Sequence, residues 1–169
     1  MAPHRPLAFD PIAQAEHNWS GRGWSQAADG MALVTSIMRV QQLFLARIHD
    51  VLREWELTFS RFEVLMLLEF TREGQLPMNK IGERLQVHAA SVTNAIDRLE
   101  AAGLVQRLPH PTDKRTTLAS IRPAGRRVVA LAADALNEQI FAAVELPRPA
   151  VRSVTEALAV LRRRAGDFD

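Results

Sequence analysis

The chain has no cysteine. Disulfides, thiol nucleophiles and cysteine-ligated zinc are thereby excluded, and a reducing cytoplasm is the expected setting. Long apolar runs are missing as well. No stretch of about 18 consecutive apolar residues could span a membrane, and the first residues lack the basic-then-apolar pattern of a signal peptide. Charge of one sign is scarce: 21 basic residues face 19 acidic ones, a formal net charge of +2. Any affinity for nucleic acid must therefore come from a local patch rather than from bulk charge. The histidines (4, 17, 49, 88 and 110) show no His-Glu-x-x-His spacing, and no phosphate-binding loop is present. Glu54 and Glu56 are two apart and point to different helix faces, which argues against paired acid/base work. We expect no catalytic residues, no metal and no cofactor, and the chain does not read as an enzyme.

What is present is concentrated between Leu76 and Gly125. Its 169 residues make one domain, or a domain with extensions, large enough to bury a sizeable core. A first short helix, about Met78 to Gln86, places Ile81 and Leu85 on one face. Val87 and His88 make a turn, and a second helix runs from about Ala89 to Ala102. Its Val92, Ile96 and Leu99 form a single inward stripe. Ala90, Ser91, Thr93, Asn94, Asp97 and Arg98 are left on or near the outward side. Small hydroxyl and amide residues let a helix approach base edges, and Arg98 can reach a guanine or a phosphate. His88, at the helix start, suits a cap or a phosphate contact better than a catalytic base. Gly103 stops the helix with a left-handed residue. Leu104 to Leu108 and Thr117 to Ile121 read as a two-stranded ribbon whose tip, His110 to Arg115, is too long and too charged to be buried. Helix pair, Gly103 stop and basic tip together read as a winged helix-turn-helix, a DNA-binding module.

The charge distribution agrees. Residues 107–127 hold six basic residues (Arg107, Lys114, Arg115, Arg122, Arg126, Arg127) against the single acid Asp113, while residues 49–73 hold six acids against three arginines. A winged module that binds protein or RNA is the alternative. The basic wing tip, Arg115 above all, favours duplex DNA.

The flanks are helical. Asp10-Pro11 is a good helix start, with a capping acid followed by proline, and Ser20-Gly-Arg-Gly23 ends that helix. Trp19 and Trp24 flank the break and are expected to anchor the arm on the protein's own core or a second subunit, with ligand lining as the sharper role. Residues 1–6 are expected to be disordered. Met31, Val34, Met38, Leu45, Ile48 and Leu52 recur at helical steps from Ala27 to about Trp55. Ser60 and Glu63 suggest a capping box opening a buried helix, Arg61 to Thr71. After Gly125 a helix to about Val144 carries Val128, Leu131, Ala135, Leu136 and Ile140 inward. A last helix, Ala150 to Arg164, carries Val151, Val154, Leu158 and Leu161.

The run Ser91 to Arg107, with its Leu-Glu-x-x-Gly-Leu-Val, then Asp113-Lys-Arg115 and Pro123-Ala-Gly125, resembles the MarR family of bacterial transcriptional regulators. The resemblance extends over roughly Ala27 to Arg164. It departs at His110, where the wing usually opens with an acid, and at Arg122, where a helix-capping threonine is usual. The resemblance implies a mainly α fold with a small β-wing, in which a winged helix-turn-helix core (57–125) is flanked by dimerisation helices (27–56 and 126–165); the arm with a short helix (1–26), read from the residues alone, precedes it. It implies a homodimer on a palindromic operator, its recognition helices roughly 34 Å apart, acting as a repressor that a small aromatic or carboxylate ligand releases. DNA contacts are expected from His88, Ser91, Thr93, Asn94, Arg98, Lys114 and Arg115, with Asp113 orienting Arg115. The absence of cysteine removes the thiol-based peroxide sensing of one branch. A ligand cavity between the dimerisation helices and the winged core would draw on Arg39, expected inward beside Met38 and Phe44, and on Arg61 and Met66, with Trp19 and Trp24 closing it. Internal ion pairing of Arg39 and Arg61 is the competing expectation.

Overall fold

A computed structural model describes residues 7–169; residues 1–6, expected to be disordered, lie outside the described part. The chain divides into two compact units, one up to Arg47 and one from Ile48 onward. The first unit holds helix α1 (Pro11–Gly21) and most of α2 (Ser25–Leu52). Helix α1 starts as expected: Asp10 Oδ1 accepts from the Ile12 amide at 2.8 Å and Pro11 occupies the first turn. Among the described residues, no helix is long and apolar enough to cross a membrane.

In the second unit the end of α2 passes through a 3-10 turn (Arg53–Trp55) into α3 (Phe59–Glu69). Thr58, not Ser60, caps α3, its Oγ1 accepting from the Arg61 amide at 3.3 Å. The expected capping box is therefore absent, because the residue three positions on is Arg61, which has no oxygen with which to answer. Phe62, Val64, Leu65 and Leu68 are buried, as an all-round apolar helix requires. Helices α4 (Met78–Leu85) and α5 (Ala89–Ala101) follow, joined through Gln86, which is held in the left-handed region at φ 54°.

The sheet has three strands rather than two. β1 (Gln75–Pro77), β2 (Val105–Pro109) and β3 (Thr117–Ile121) run in the order β1-β3-β2, with Leu76 opposite Ala119 and Arg107 opposite Ala119 on the other side. β1 escaped the sequence reading because three residues show no alternation and Pro77 argues against a strand. At a sheet edge, however, proline forfeits no ladder bond.

Gly103 takes φ 70° and turns α5 into β2, its amide donating to the Glu100 carbonyl at 2.9 Å. Helix α6 (Pro123–Leu136) buries Gly125, Val129, Ala132 and Leu136, and a π-helical turn (Asn137–Phe141) keeps Ile140 buried. The expected inner face holds at Leu136 and Ile140 but not before them: Leu131 is 57% exposed, Val128 and Ala135 are only partly covered, and Val129 and Ala132 are buried instead. Both stripes are apolar, and packing selects the one that carries Gly125, where an added Cβ would meet the Leu104 carbonyl oxygen. Helix α7 (Arg148–Arg164) buries no side chain at all.

Candidate nucleic-acid interface

Burial of Val92, Ala95, Ile96 and Leu99 fixes the rotation of α5. It turns Ala90, Ser91, Thr93, Asn94, Asp97 and Arg98 outward, all exposed. Ser91, Asn94 and Arg98 line one groove with Thr58, Ser60 and Arg61 from the start of α3. Thr93 lines a neighbouring cleft with Met78, Asn79, Arg115, Thr116 and Thr117, so the wing and the recognition helix border the same space. His88 precedes α5 in extended backbone and makes no side-chain cap bond. Its ring stays exposed in a third groove that again includes Met78 and Asn79. The expected contact residues of α5 are thus divided between two grooves, and Arg115 joins Thr93 in one of them. Lys114 is exposed at the wing tip.

The wing is ordered by its own side chains. Asp113 accepts from the Thr116 hydroxyl (2.6 Å) and from the Arg115 amide (2.9 Å). Those two bonds, the hydroxyl first, hold the Asp113 carboxyl below its ordinary range. Asp113 therefore fixes the backbone that carries Arg115 and leaves the guanidinium exposed, instead of gripping the side chain. At His110, where the sequence departs from the family's usual acid, Nδ1 accepts from the Asp113 amide at 3.2 Å.

Two of the expected patch cations are occupied elsewhere. Arg107 on β2 pairs with both Asp97 and Glu100 of α5, and its amide donates to Glu100 Oε1 at 2.9 Å. These contacts, led by the amide bond, hold the Glu100 carboxyl below its ordinary range. Arg126 of α6 pairs with Glu69 of α3. The sequence could not show either partner, since seven to ten residues and 57 residues separate them. Lys114, Arg115, Arg122 and Arg127 remain exposed, and none of them, nor Arg98, has an ion pair among the described residues.

The expected ligand residues fare differently. Arg39 is exposed, not inward: α2 presents Met38 to solvent beside it. Trp19 and Trp24 pack on each other edge to face with ring centroids 5.4 Å apart, and they stay 36% and 50% exposed instead of entering a core. Met66 is half-buried on α3. Arg61 lines the groove of the recognition helix and makes no internal ion pair among the described residues. The sequence reading missed Thr58, Ser60 and Asn79 at this interface. Thr58 carried a usable signal as an N-cap, but only folding brings it to α5.

A sequence model of the MarR family matches residues 57–117, from the approach to α3 to the start of β3. Among solved structures, Sco5413 of Streptomyces coelicolor, a MarR family transcriptional regulator, is 45% identical to the chain. That match covers 83% of this chain and 98% of Sco5413, with a TM-score of 0.77. The chain belongs to the MarR family. Among curated relatives of this MarR regulator, the HTH-type transcriptional regulator MhqR of Bacillus subtilis is 36% identical over 66 residues, 39% of this chain and 44% of MhqR. The match thus spans less than half of MhqR. The fold also matches a mutant of Escherichia coli MarR complexed with operator DNA, at a TM-score of 0.73 and 21% identity, covering 80% and 96% of the two chains. The winged helix-turn-helix expected from Leu76 to Gly125 is the fold these proteins share.

Proposed function

We propose that this MarR-family regulator is a cytoplasmic, non-enzymatic repressor that binds a palindromic operator as a homodimer and leaves it when a small aromatic or carboxylate ligand binds. The observation that carries the reading is the shared cleft of Thr93 and Arg115. It sets a recognition helix with an exposed hydroxyl and amide face beside a basic wing tip, the arrangement that serves a major groove and its flanking minor groove. In this reading Ser91, Thr93, Asn94 and Arg98 read bases and phosphates. His88 and Lys114 contact the backbone, Arg115 enters the minor groove, and Asp113 holds its loop. Residues 57–125 are the DNA-reading part, and residues 27–56 and 126–165 supply the dimerisation helices. In this reading the exposed Trp19–Trp24 pair is the aromatic surface that a ligand would meet. A ligand can act only by binding the DNA-incompetent spacing of the two helices more tightly.

The test uses duplexes carrying any inverted repeat that flanks the protein's own gene. In fluorescence anisotropy, a repeat-bearing duplex should bind well ahead of a scrambled duplex of the same composition at equal salt. Equal binding of both duplexes, or none of either, would overturn the operator reading. A panel of phenolic acids titrated into the complex then tests release.

A further inference from the structure

We propose that the groove between the start of α3 and the outward face of α5 holds the phosphate strand bordering the major groove, with Arg61 and Ser60 as its anchors. The proposal rests on the operator-binding reading above and assigns Arg61 to DNA rather than to an inducer. Three observations carry it. First, the groove is walled on one side by Ser91, Asn94 and Arg98, which that reading sets against DNA, and on the other by Thr58, Ser60 and Arg61. A duplex seated on α5 must pass one backbone through that space.

Second, Arg61 is half-buried yet has no acidic partner among the described residues. Its Nε donates to Thr58 Oγ1 at 3.2 Å, which leaves both terminal nitrogens of the guanidinium unused among the described residues. A cation that gives up part of its hydration, and is held in place without a counter-charge, is prepared for an external anion.

Third, the hydroxyl bonding has a direction. Thr58 Oγ1 already accepts from the Arg61 amide and from Arg61 Nε, so both its lone pairs are engaged. Its contact with Ser60 Oγ at 3.1 Å must then run from Thr58 as donor to Ser60 as acceptor. The Ser60 hydroxyl proton is left free, and Ser60 is exposed on the groove. The groove thus offers a hydroxyl donor from Ser60 and the guanidinium of Arg61, with no carboxylate among its lining residues. Such a set fits a phosphodiester and carries no base information.

The experiment measures affinity for a specific and a scrambled duplex between 50 and 200 mM salt for the wild type, Arg61→Ala, Arg61→Lys, Ser60→Ala and Arg98→Ala. Losing one phosphate contact lowers the slope of log affinity against log salt by about 0.9. Arg61→Ala should therefore weaken both duplexes alike, and its deficit should shrink about threefold across that salt range. Arg61→Lys should recover the slope while losing the Nε bond, and Ser60→Ala should weaken both duplexes without altering the slope. Arg98→Ala should instead change the preference between duplexes. If the wild type shows its salt-dependent preference and Arg61→Ala keeps the full slope, the proposal is wrong and the operator reading stands. If Arg61→Ala binds normally but no longer responds to a releasing phenolic acid, Arg61 is a ligand anchor and the proposal is likewise wrong. If the wild type binds neither duplex, the operator reading itself has failed.

Discussion

At the scale of single residues, the proposed function separates side chains that would read sequence from those that would only hold the duplex. Asn94 and Arg98 sit one turn apart on the exposed face of α5, the face that the proposed function sets against base edges. Losing a good bidentate base contact costs about 1–3 kcal/mol and relaxes specificity at one position. Asn94→Ala or Arg98→Ala should therefore change which base is preferred at one operator position, as a systematic set of single-base operator variants would reveal. A uniform loss across all variants would assign them to phosphates. Arg115 differs: its backbone is fixed by Asp113 while its guanidinium is exposed. Arg115→Ala should weaken many sequences and lower the salt slope of log affinity by about one. An unaltered slope would remove Arg115 from the groove.

At the scale of elements, the wing and the recognition helix are joined by Arg107, which bridges β2 to two carboxylates of α5. Exposed ion pairs are individually weak, but an arginine shared by two acids and backed by an amide bond fixes an angle between elements. In the proposed reading it also offsets part of the negative charge of Asp97 and Glu100, which would otherwise repel phosphates beside α5. Arg107→Ala should therefore reduce DNA affinity although Arg107 need not touch DNA. Adding Asp97→Asn and Glu100→Gln should recover much of that loss if shielding dominates; no recovery would leave the wing angle as the cause. Glu63 makes a second case within α3. Burial alone raises its carboxyl pKa. The folded state then holds the proton more tightly than the unfolded chain, so stability falls as pH rises through the unfolded value toward the folded one. Glu63→Gln should raise the melting temperature at pH 7, with the gain fading as the pH drops below the ordinary carboxylate range. A gain that persists in acid would point to packing instead of charge.

The same scale shows what sequence patterns can carry. The α5 stripe, the Gly103 stop and the β3 boundaries were legible because each has a local cause: a 3.6-residue period, a left-handed turn, a polar loop between apolar runs. Long-range choices were not. The partner of Arg107, the edge strand at Gln75–Pro77 and the buried face of α6 depend on what packs against them. For α6 the deciding feature was one small residue, Gly125, meeting one carbonyl. Arg39 was misplaced for a related reason, since an arginine flanked by apolar residues reads as inward only if those residues are themselves covered.

At the scale of the whole molecule, the apolar residues left in solvent need an account. Along α2, Leu33, Ile37 and Val40 form one exposed row, and Val34 and Met38 another, at three- and four-residue steps. On α7, Val154 and Leu161 lie two turns apart and are 50% and 44% exposed. Soluble chains seldom leave such rows uncovered without a partner, and a second copy is the partner that the proposed palindromic operator calls for. Dimerisation then contributes directly to affinity. Once one recognition helix is docked, its twin meets a half-site roughly 34 Å away at high local concentration, which can raise avidity by about 10²–10⁴. A charge placed in the buried row should undo this without touching the reading face. Val34→Glu and Leu161→Glu should each shift the protein toward monomer in sedimentation velocity. Each should also lower affinity for a full palindrome by about a hundredfold or more, while an isolated half-site binds as before. If either variant sediments as a dimer and binds the palindrome normally, the exposed row it carries is not the dimer interface. Loss of half-site binding in the same variant would point instead to damage that reaches the winged core.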